Sequence, residues 1–247
     1  MIAVQLKSRL GNQMFELAAA YHLAKQYNQE LALIENGSND YVKYPIITDN
    51  RNIITSTAGF HVLQEKDNQA WIDLSQAKDH ENVLLKGYFQ SDKYFTRQEA
   101  EELFQIPTEI KEKYGYLQDK VCLSVRRGDY LKFSSYFISP SLEWFEKCYH
   151  KHFEGKDVVI ASDDIKWCKQ HFNLPNQEFI ESDPINTLFI KACCKNHIIS
   201  PSTFAWWSAY LADAKTVAPS DWVGKGLKAK NFNEKDKYVE GWIKEDL

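Results

Sequence analysis

Three short polar stretches, each following an apolar run, carry residue types that can hold a diphosphate. They are Arg9-Leu10-Gly11-Asn12-Gln13, Ser124-Val125-Arg126-Arg127-Gly128-Asp129-Tyr130 and Ser200-Pro201-Ser202-Thr203-Phe204-Ala205-Trp206-Trp207. The second sets two guanidinium groups beside a glycine. Guanidinium forks pair with phosphate oxygens, and a residue without a Cβ lets backbone and ligand come close. The first and third each open a stretch of helical periodicity. The leading N–H groups of a helix have no partner within it, and its dipole is positive at that end, so anions collect there. A reaction whose leaving group is a nucleoside diphosphate needs this equipment.

Each stretch also has a plainer reading. Arg126-Arg127-Gly128-Asp129 taken alone suits a surface ion-pair cluster, with Asp129 pairing an arginine; its place at the end of an apolar strand favours phosphate clamping. Asn12 suits a simple N-cap, and so does Ser202 or Thr203. Capping and phosphate binding share one geometry, so the two readings coexist. Trp206 and Trp207 suit core packing or the wall of a cleft better than sugar stacking. Asp163-Asp164 follows an apolar run. These carboxylates either accept hydrogen bonds from the N–H edge of a purine or start the next helix, where acidic residues are favoured. No Asp-x-Asp triplet occurs, and adjacent Cys193 and Cys194 rarely aim both thiols at one ion, so no metal site is expected. Gly224-Lys225-Gly226-Leu227-Lys228-Ala229 mimics a dinucleotide fingerprint, but no strand is expected before it and no βαβ unit after it. The seven histidines are dispersed.

The elements that must position these groups follow from periodicity. Residues 2–7 alternate like a strand, Gly11 makes the turn, and Asn12 caps a helix over 13–27. Phe15, Ala18, Ala19, His22 and Leu23 share the inner face of that helix. A strand over 30–34 completes the start of a parallel α/β sheet. Residues 35–82, rich in Asn, Asp and Ser, read as short elements and loops. A strand over 83–89 and helices over 91–104 and from Thr108 toward Tyr114 come next, and residues 115–120 form a turn-rich boundary. A second alternation then runs through strands at 121–125, 158–161, 179–180, 197–200 and 216–218, with helices at 141–152, 165–172, 184–194 and 203–214. The expected fold class is therefore α/β, with two Rossmann-like halves, residues 1–117 and 118–247, facing a cleft. Ligands of such sheets bind outside the carboxyl ends of the strands, where the polar turns fall.

Composition sets bounds. The 247 residues are 44% hydrophobic and 14% aromatic, enough for a sizeable core, and the net charge of -4 argues against a general nucleic-acid binder. The five cysteines form no regular framework, which suits a reducing compartment. Residues 1–6 read as a strand rather than a signal peptide. No apolar run is long enough to span a bilayer. A cytoplasmic protein is expected, with transient contact to a membrane surface still open. The sequon Asn36-Gly37-Ser38 is read as a plain turn.

Five segments together resemble the α-1,2-fucosyltransferase family (glycosyltransferase family 11) in its bacterial form. They are Leu10-Gly11-Asn12-Gln13-Met14-Phe15, Gly87-Tyr88-Phe89-Gln90-Ser91-Asp92-Lys93-Tyr94-Phe95, Val125-Arg126-Arg127-Gly128-Asp129-Tyr130, Ser162-Asp163-Asp164-Ile165-Lys166-Trp167 and Ser202-Thr203-Phe204-Ala205-Trp206-Trp207. They occur in the family's order and span nearly the whole chain. The resemblance implies a GT-B-like fold and inverting transfer of L-fucose from GDP-β-L-fucose to a sugar hydroxyl, typically O2 of galactose. It makes residues 1–117 the acceptor side and 118–247 the nucleotide-sugar side. It implies no metal and no cofactor beyond the donor, which acts as co-substrate, and a glycan acceptor as partner. Carried over, Arg126 is the catalytic arginine facing the departing β-phosphate, and Arg127 supports or contacts the nucleotide. Gly11 and Asn12 lie near the diphosphate, Asp129 orients an arginine, Asp163 or Asp164 reads guanine, and Ser202, Thr203 and Phe204 wrap the phosphates. This chain departs from the pattern at Ser124, where the family often has histidine, and at Pro201 and Ala205, where it usually has asparagine and serine. Proline removes one N–H donor from the turn.

Overall fold

Ile2, Ala3, Val4 and Leu6 have no exposed surface, the burial expected of a central strand in a parallel sheet covered on both faces. The computed structural model describes residues 1–35 and 41–247; the sequon at 36–38 lies outside the described residues. The chain divides into two compact units, Met1–Gln105 with Lys235–Tyr238, and Ile106–Glu234 with Val239–Leu247.

The first unit holds β1 (Ile2–Leu6), α1 (Leu10–Gln26), β2 (Leu31–Glu35), α2 (Pro45–Thr48), β3 (Asn52–Ile53), β4 (His61–Gln64), β5 (Val83–Lys86) and α3 (Arg97–Leu103). Its strands lie in the order β3-β2-β1-β5-β4, and every pairing is parallel. In register, Val4 sits between Leu33 and Leu85. The second unit holds α4 (Thr108–Tyr114), β6 (Val121–Val125), α5 (Gly128–Lys132), α6 (Leu142–Phe153), β7 (Val158–Ser162), α7 (Ile165–His171), β8 (Glu178–Phe179), α8 (Pro184–Lys191), β9 (Asn196–Ile199), α9 (Thr203–Leu211), β10 (Lys215–Pro219), α10 (Lys225–Lys228) and β11 (Ile243–Glu245). Its sheet runs β11-β10-β9-β6-β7-β8 and is likewise parallel. Val121, Leu123, Ile160 and Ile198 anchor its main core against Trp144, Phe145 and Tyr149 of α6.

Several sequence expectations need correction. The first helix begins at Leu10, so Gly11 lies inside it and Asn12 is its third residue. Arg9 holds the N-cap position, and no side chain caps this end. The turn is made instead by Ser8, in the left-handed region at φ 59°. The expected helix over 91–104 is split. Asp92–Tyr94 form a 3-10 turn, and α3 starts afresh because Thr96 and Glu99 make a reciprocal capping box. The strand at 215–219 is not the last, since β11 pairs beyond it. That pairing also places parallel strands on either side of the glycine pair at 224 and 226. These glycines serve packing: a Cβ at Gly224 would lie 2.7 Å from the Ser135 carbonyl oxygen. Trp206 and Trp207 are core residues, 2% and 0% exposed. All five cysteines are free thiols. Among the described residues no cluster of three His, Cys, Asp or Glu could hold a metal ion, and no helix is long and apolar enough to cross a membrane.

Candidate active site

In the second unit the chain proceeds from β6 outward to β7 and β8, then returns to β9 on the other side of β6. The order reverses at the carboxyl ends of β6 and β9, and the crevice outside such a reversal is where doubly wound sheets bind ligands. Arg126 is the first residue past β6, and Ser200 is the first past β9. They bridge the reversal directly, the Arg126 backbone N–H donating to Ser200 Oγ at 2.9 Å.

Carboxylates fix both arginines. The Arg126 guanidinium donates to Asp129 Oδ1 at 2.6 Å and pairs with Asp163 Oδ2 at 3.1 Å. It also lies 5.3 Å from the Tyr130 ring centre. The hydrogen bond to Asp129 takes one N–H of the fork, leaving Nε–H and the other terminal hydrogens for another acceptor. The side chain is 26% exposed. Arg127 donates its backbone N–H to Asp163 Oδ1 at 2.9 Å and its Nε–H to Asp164 Oδ2 at 3.4 Å. Its guanidinium stacks 3.5 Å from the Trp167 ring centre. Asp164 also caps α7, accepting from the Trp167 N–H. Gly128 lies in this crowding: a Cβ there would stand 2.4 Å from Asp163 Oδ2, so the carboxylate would have to shift.

The turn after β9 is tied to the arginine turn by the Tyr130 hydroxyl, which donates to the Pro201 carbonyl at 3.0 Å. Ser202 occupies the N-cap position of α9 with extended backbone, yet its side chain makes no capping hydrogen bond. Thr203 is the first helical residue, and Phe204 follows. Behind Phe204 lies Lys191, 1% exposed, with Nζ 4.6 Å from the ring centre. Burial pushes the Lys191 ammonium down to about 8, with the Cys122 and Cys194 thiols opposing that shift. Burial, joined by the Lys191 charge, likewise pushes the neighbouring His197 down to about 3. Ser124 is buried within β6.

The first unit has its own reversal, between β1 and β5. Asn12 in the first turn of α1 and Gln90 beyond β5 meet there, Gln90 Nε2 donating to Asn12 Oδ1 at 2.9 Å. The loop after β5 is pinned by buried Glu65, which accepts the N–H groups of Tyr88 at 2.7 Å and Phe89 at 3.2 Å. Burial raises Glu65 above the usual carboxylate range, opposed by those two hydrogen bonds. Glycine is needed at position 87, where a Cβ would lie 2.4 Å from Glu65 Cβ. Phe89 takes the left-handed region at φ 49°, a costly conformation for an aromatic residue. The loop after β1 is held by Gln13, whose Nε2 donates to the Ser8 and Val42 carbonyls.

Arg126, Arg127, Asp129, Asp163 and Asp164 thus gather in one cluster, with Ser202 in the turn joined to it through Tyr130 and Pro201. Gly11 and Asn12 belong to the reversal of the other unit. Sequence reasoning missed Ser200, Tyr130 and Glu65. For Ser200 and Tyr130 the signal was their place inside the polar stretches; for Glu65 no local signal exists.

The family described as Glycosyl transferase family 11 matches residues 1–246. An alpha-1,2-colitosyltransferase of Escherichia coli is 24% identical over 296 residues, covering 98% of this chain and 98% of that protein. The galactoside 2-alpha-L-fucosyltransferase SEC1 of Bos taurus is 24% identical over 277 residues, covering 97% of this chain and 72% of that protein. Among solved structures, the NodZ alpha-1,6-fucosyltransferase co-crystallised with GDP, from Bradyrhizobium, superimposes with a TM-score of 0.55 at 13% identity, covering 83% of this chain and 90% of that one. The likeness is one of fold, and that fold is GT-B-like, with two parallel α/β sheets.

Proposed function

This chain belongs to glycosyl transferase family 11, and we propose that it moves L-fucose from GDP-β-L-fucose to a sugar hydroxyl, O2 of a terminal galactose in an oligosaccharide or surface polysaccharide repeat. The observation that carries this reading is the Arg126 guanidinium. It stands at a sheet reversal, is oriented by Asp129 and Asp163, and still has N–H groups to give. In this reading the acceptor oxygen bonds to the anomeric carbon from the face opposite GDP, with inversion, as the bond to the β-phosphate oxygen breaks. The hydroxyl proton passes to solvent water, and negative charge grows on the phosphate that leaves as GDP. Arg126 meets that charge in place, since its carboxylate partners hold the fork still before the reaction starts.

Arg127, Ser202, Thr203 and Phe204 are assigned to the nucleotide and its phosphates, and Gly11 and Asn12 are likewise assigned to donor binding. Asp163 serves as the brace for both arginines. Asp164 keeps lone pairs for the N–H edge of guanine, at a side chain 39% exposed. The second unit is the nucleotide-sugar half and the first the acceptor half. No metal ion or further cofactor takes part in this reading. A cytoplasmic site of action, with at most peripheral membrane contact, suits a nucleotide-sugar donor and five free thiols.

A second donor is favoured by one comparison: the Escherichia coli relative is named for colitose, so another sugar on the same nucleotide stands as the alternative. Incubation of GDP-fucose with a panel of terminal galactosides, read by mass spectrometry with fragmentation for linkage, tests the reading. A product heavier by one fucose at O2 is expected. No fucosylated product, with GDP still bound by the protein, would transfer the assignment to a different sugar.

A further inference from the structure

The reversal in the first unit carries a polarity that its residue types alone do not reveal. Lys237 reaches it from the far end of the chain and is 2% exposed. Its ammonium donates to Gln69 Oε1 at 2.8 Å and to Gln90 Oε1 at 3.1 Å. An ammonium has three hydrogens to give and no lone pair. Whatever amide end faces it must therefore be the oxygen, which removes the usual ambiguity between the two ends of a glutamine. With its oxygen committed to Lys237, Gln90 must turn its NH₂ to Asn12, and Asn12 must answer with Oδ1. That leaves Asn12 Nδ2, which donates to no atom among the described residues. The amide sits at the carboxyl ends of β1 and β5, where the strand order reverses, the place such sheets keep for ligands.

We propose that Lys237, acting through Gln90, locks Asn12 as a hydrogen-bond donor toward an oxygen of the sugar nucleotide, so that Gln90 and Lys237 are positioning residues for donor binding. The identity of the ligand rests on the function proposed above; the direction of the relay rests on the hydrogen bonds alone. Asparagine presents a donor or an acceptor depending on which way its amide lies, and a phosphate or hydroxyl oxygen discriminates strongly between the two. The ammonium makes that choice before the ligand arrives. The loops hold the relay in place through Glu65 on one side and Gln13 on the other.

Gln90→Glu tests this without changing shape. The carboxylate still accepts from Lys237, so the protein should melt no lower than wild type, but it has no N–H for Asn12. The Asn12 amide then turns to donate inward and presents Oδ1 to the ligand. Calorimetric titration with GDP and with GDP-fucose should show affinity reduced by at least about tenfold. Lys237→Met should weaken binding similarly, and Lys237→Arg, which keeps a donor, should restore most of it. Weakening for both ligands places the oxygen on the diphosphate; weakening for GDP-fucose alone places it on the sugar. Wild-type affinity in Gln90→Glu would overturn the relay, as would a lower melting temperature in Lys237→Met with binding intact. A wild-type protein that gives no heat with either ligand would instead remove the donor reading and the ligand assigned here.

Discussion

The two sheet reversals solve one topological problem with opposite chemistry. At the carboxyl ends of β6 and β9, two guanidinium groups face three carboxylates, Asp129, Asp163 and Asp164. At the carboxyl ends of β1 and β5, two neutral amides meet, and their direction is set by a buried ammonium. The first arrangement stores charge that can respond to a developing anion, at the expense of an excess carboxylate nearby. The second offers a fixed dipole whose strength varies little with salt. The strand order marks each place as a candidate crevice; the side chains differ in whether they carry charge or a fixed dipole.

The largest effect should come from removing the charge. Arg126→Ala should lower turnover on the order of 10²–10³-fold while the melting temperature changes little, because partly exposed ion pairs contribute roughly 0–1 kcal/mol. Near-normal turnover would erase the contrast between the two reversals. A smaller change should follow Gly128→Ala. The added methyl meets Asp163 Oδ2, and strain of about 1–3 kcal/mol should displace the brace and weaken GDP binding roughly tenfold. Unchanged GDP titration would mean that Asp163 moves freely and braces nothing.

The smallest effect separates the two buried lysines, both pushed by burial to about 8. Lys237 has amide oxygens to bond, whereas Lys191 lies over the Phe204 ring. Lys191→Met should therefore stabilise the protein at neutral pH. It relieves a penalty on the order of 3 kcal/mol, less a cation–π contact of about 0.5–2 kcal/mol. The folded-state value lies below that of the free side chain, so from about 8 toward 10.5 the unfolded chain holds more protons. Wild-type stability then rises with pH in that window, and the advantage of the methionine variant should shrink across it in thermal melts. A destabilised Lys191→Met would show that the ammonium supports the Phe204 turn rather than burdening it.

The arginine turn was legible from the sequence because everything it needs is local. An apolar strand, two arginines, a glycine and an aspartate lie within nine residues, and the glycine is there for the close approach of Asp163. The relay at Asn12 was not legible. Gln90 and Lys237 are 147 positions apart, and no periodicity links them. The Ser8 turn escaped notice because Gly11 nearby is the better turn residue, yet Gly11 is buried in α1 and the strain falls on Ser8. The edge pairing of the second sheet, β11 with β10, was missed for a similar reason. Residues 243–245 are too short a run to read as a strand until β10 is present to pair with them.

Titration of GDP into wild-type protein and into Arg126→Ala tests the central claim most directly, namely that the turn beyond β6 grips the diphosphate. Clear heat with wild type, little or none with UDP, and binding sharply weakened in the variant are the predicted results. Equal GDP affinity in the two proteins, or no binding to wild type at all, would contradict it.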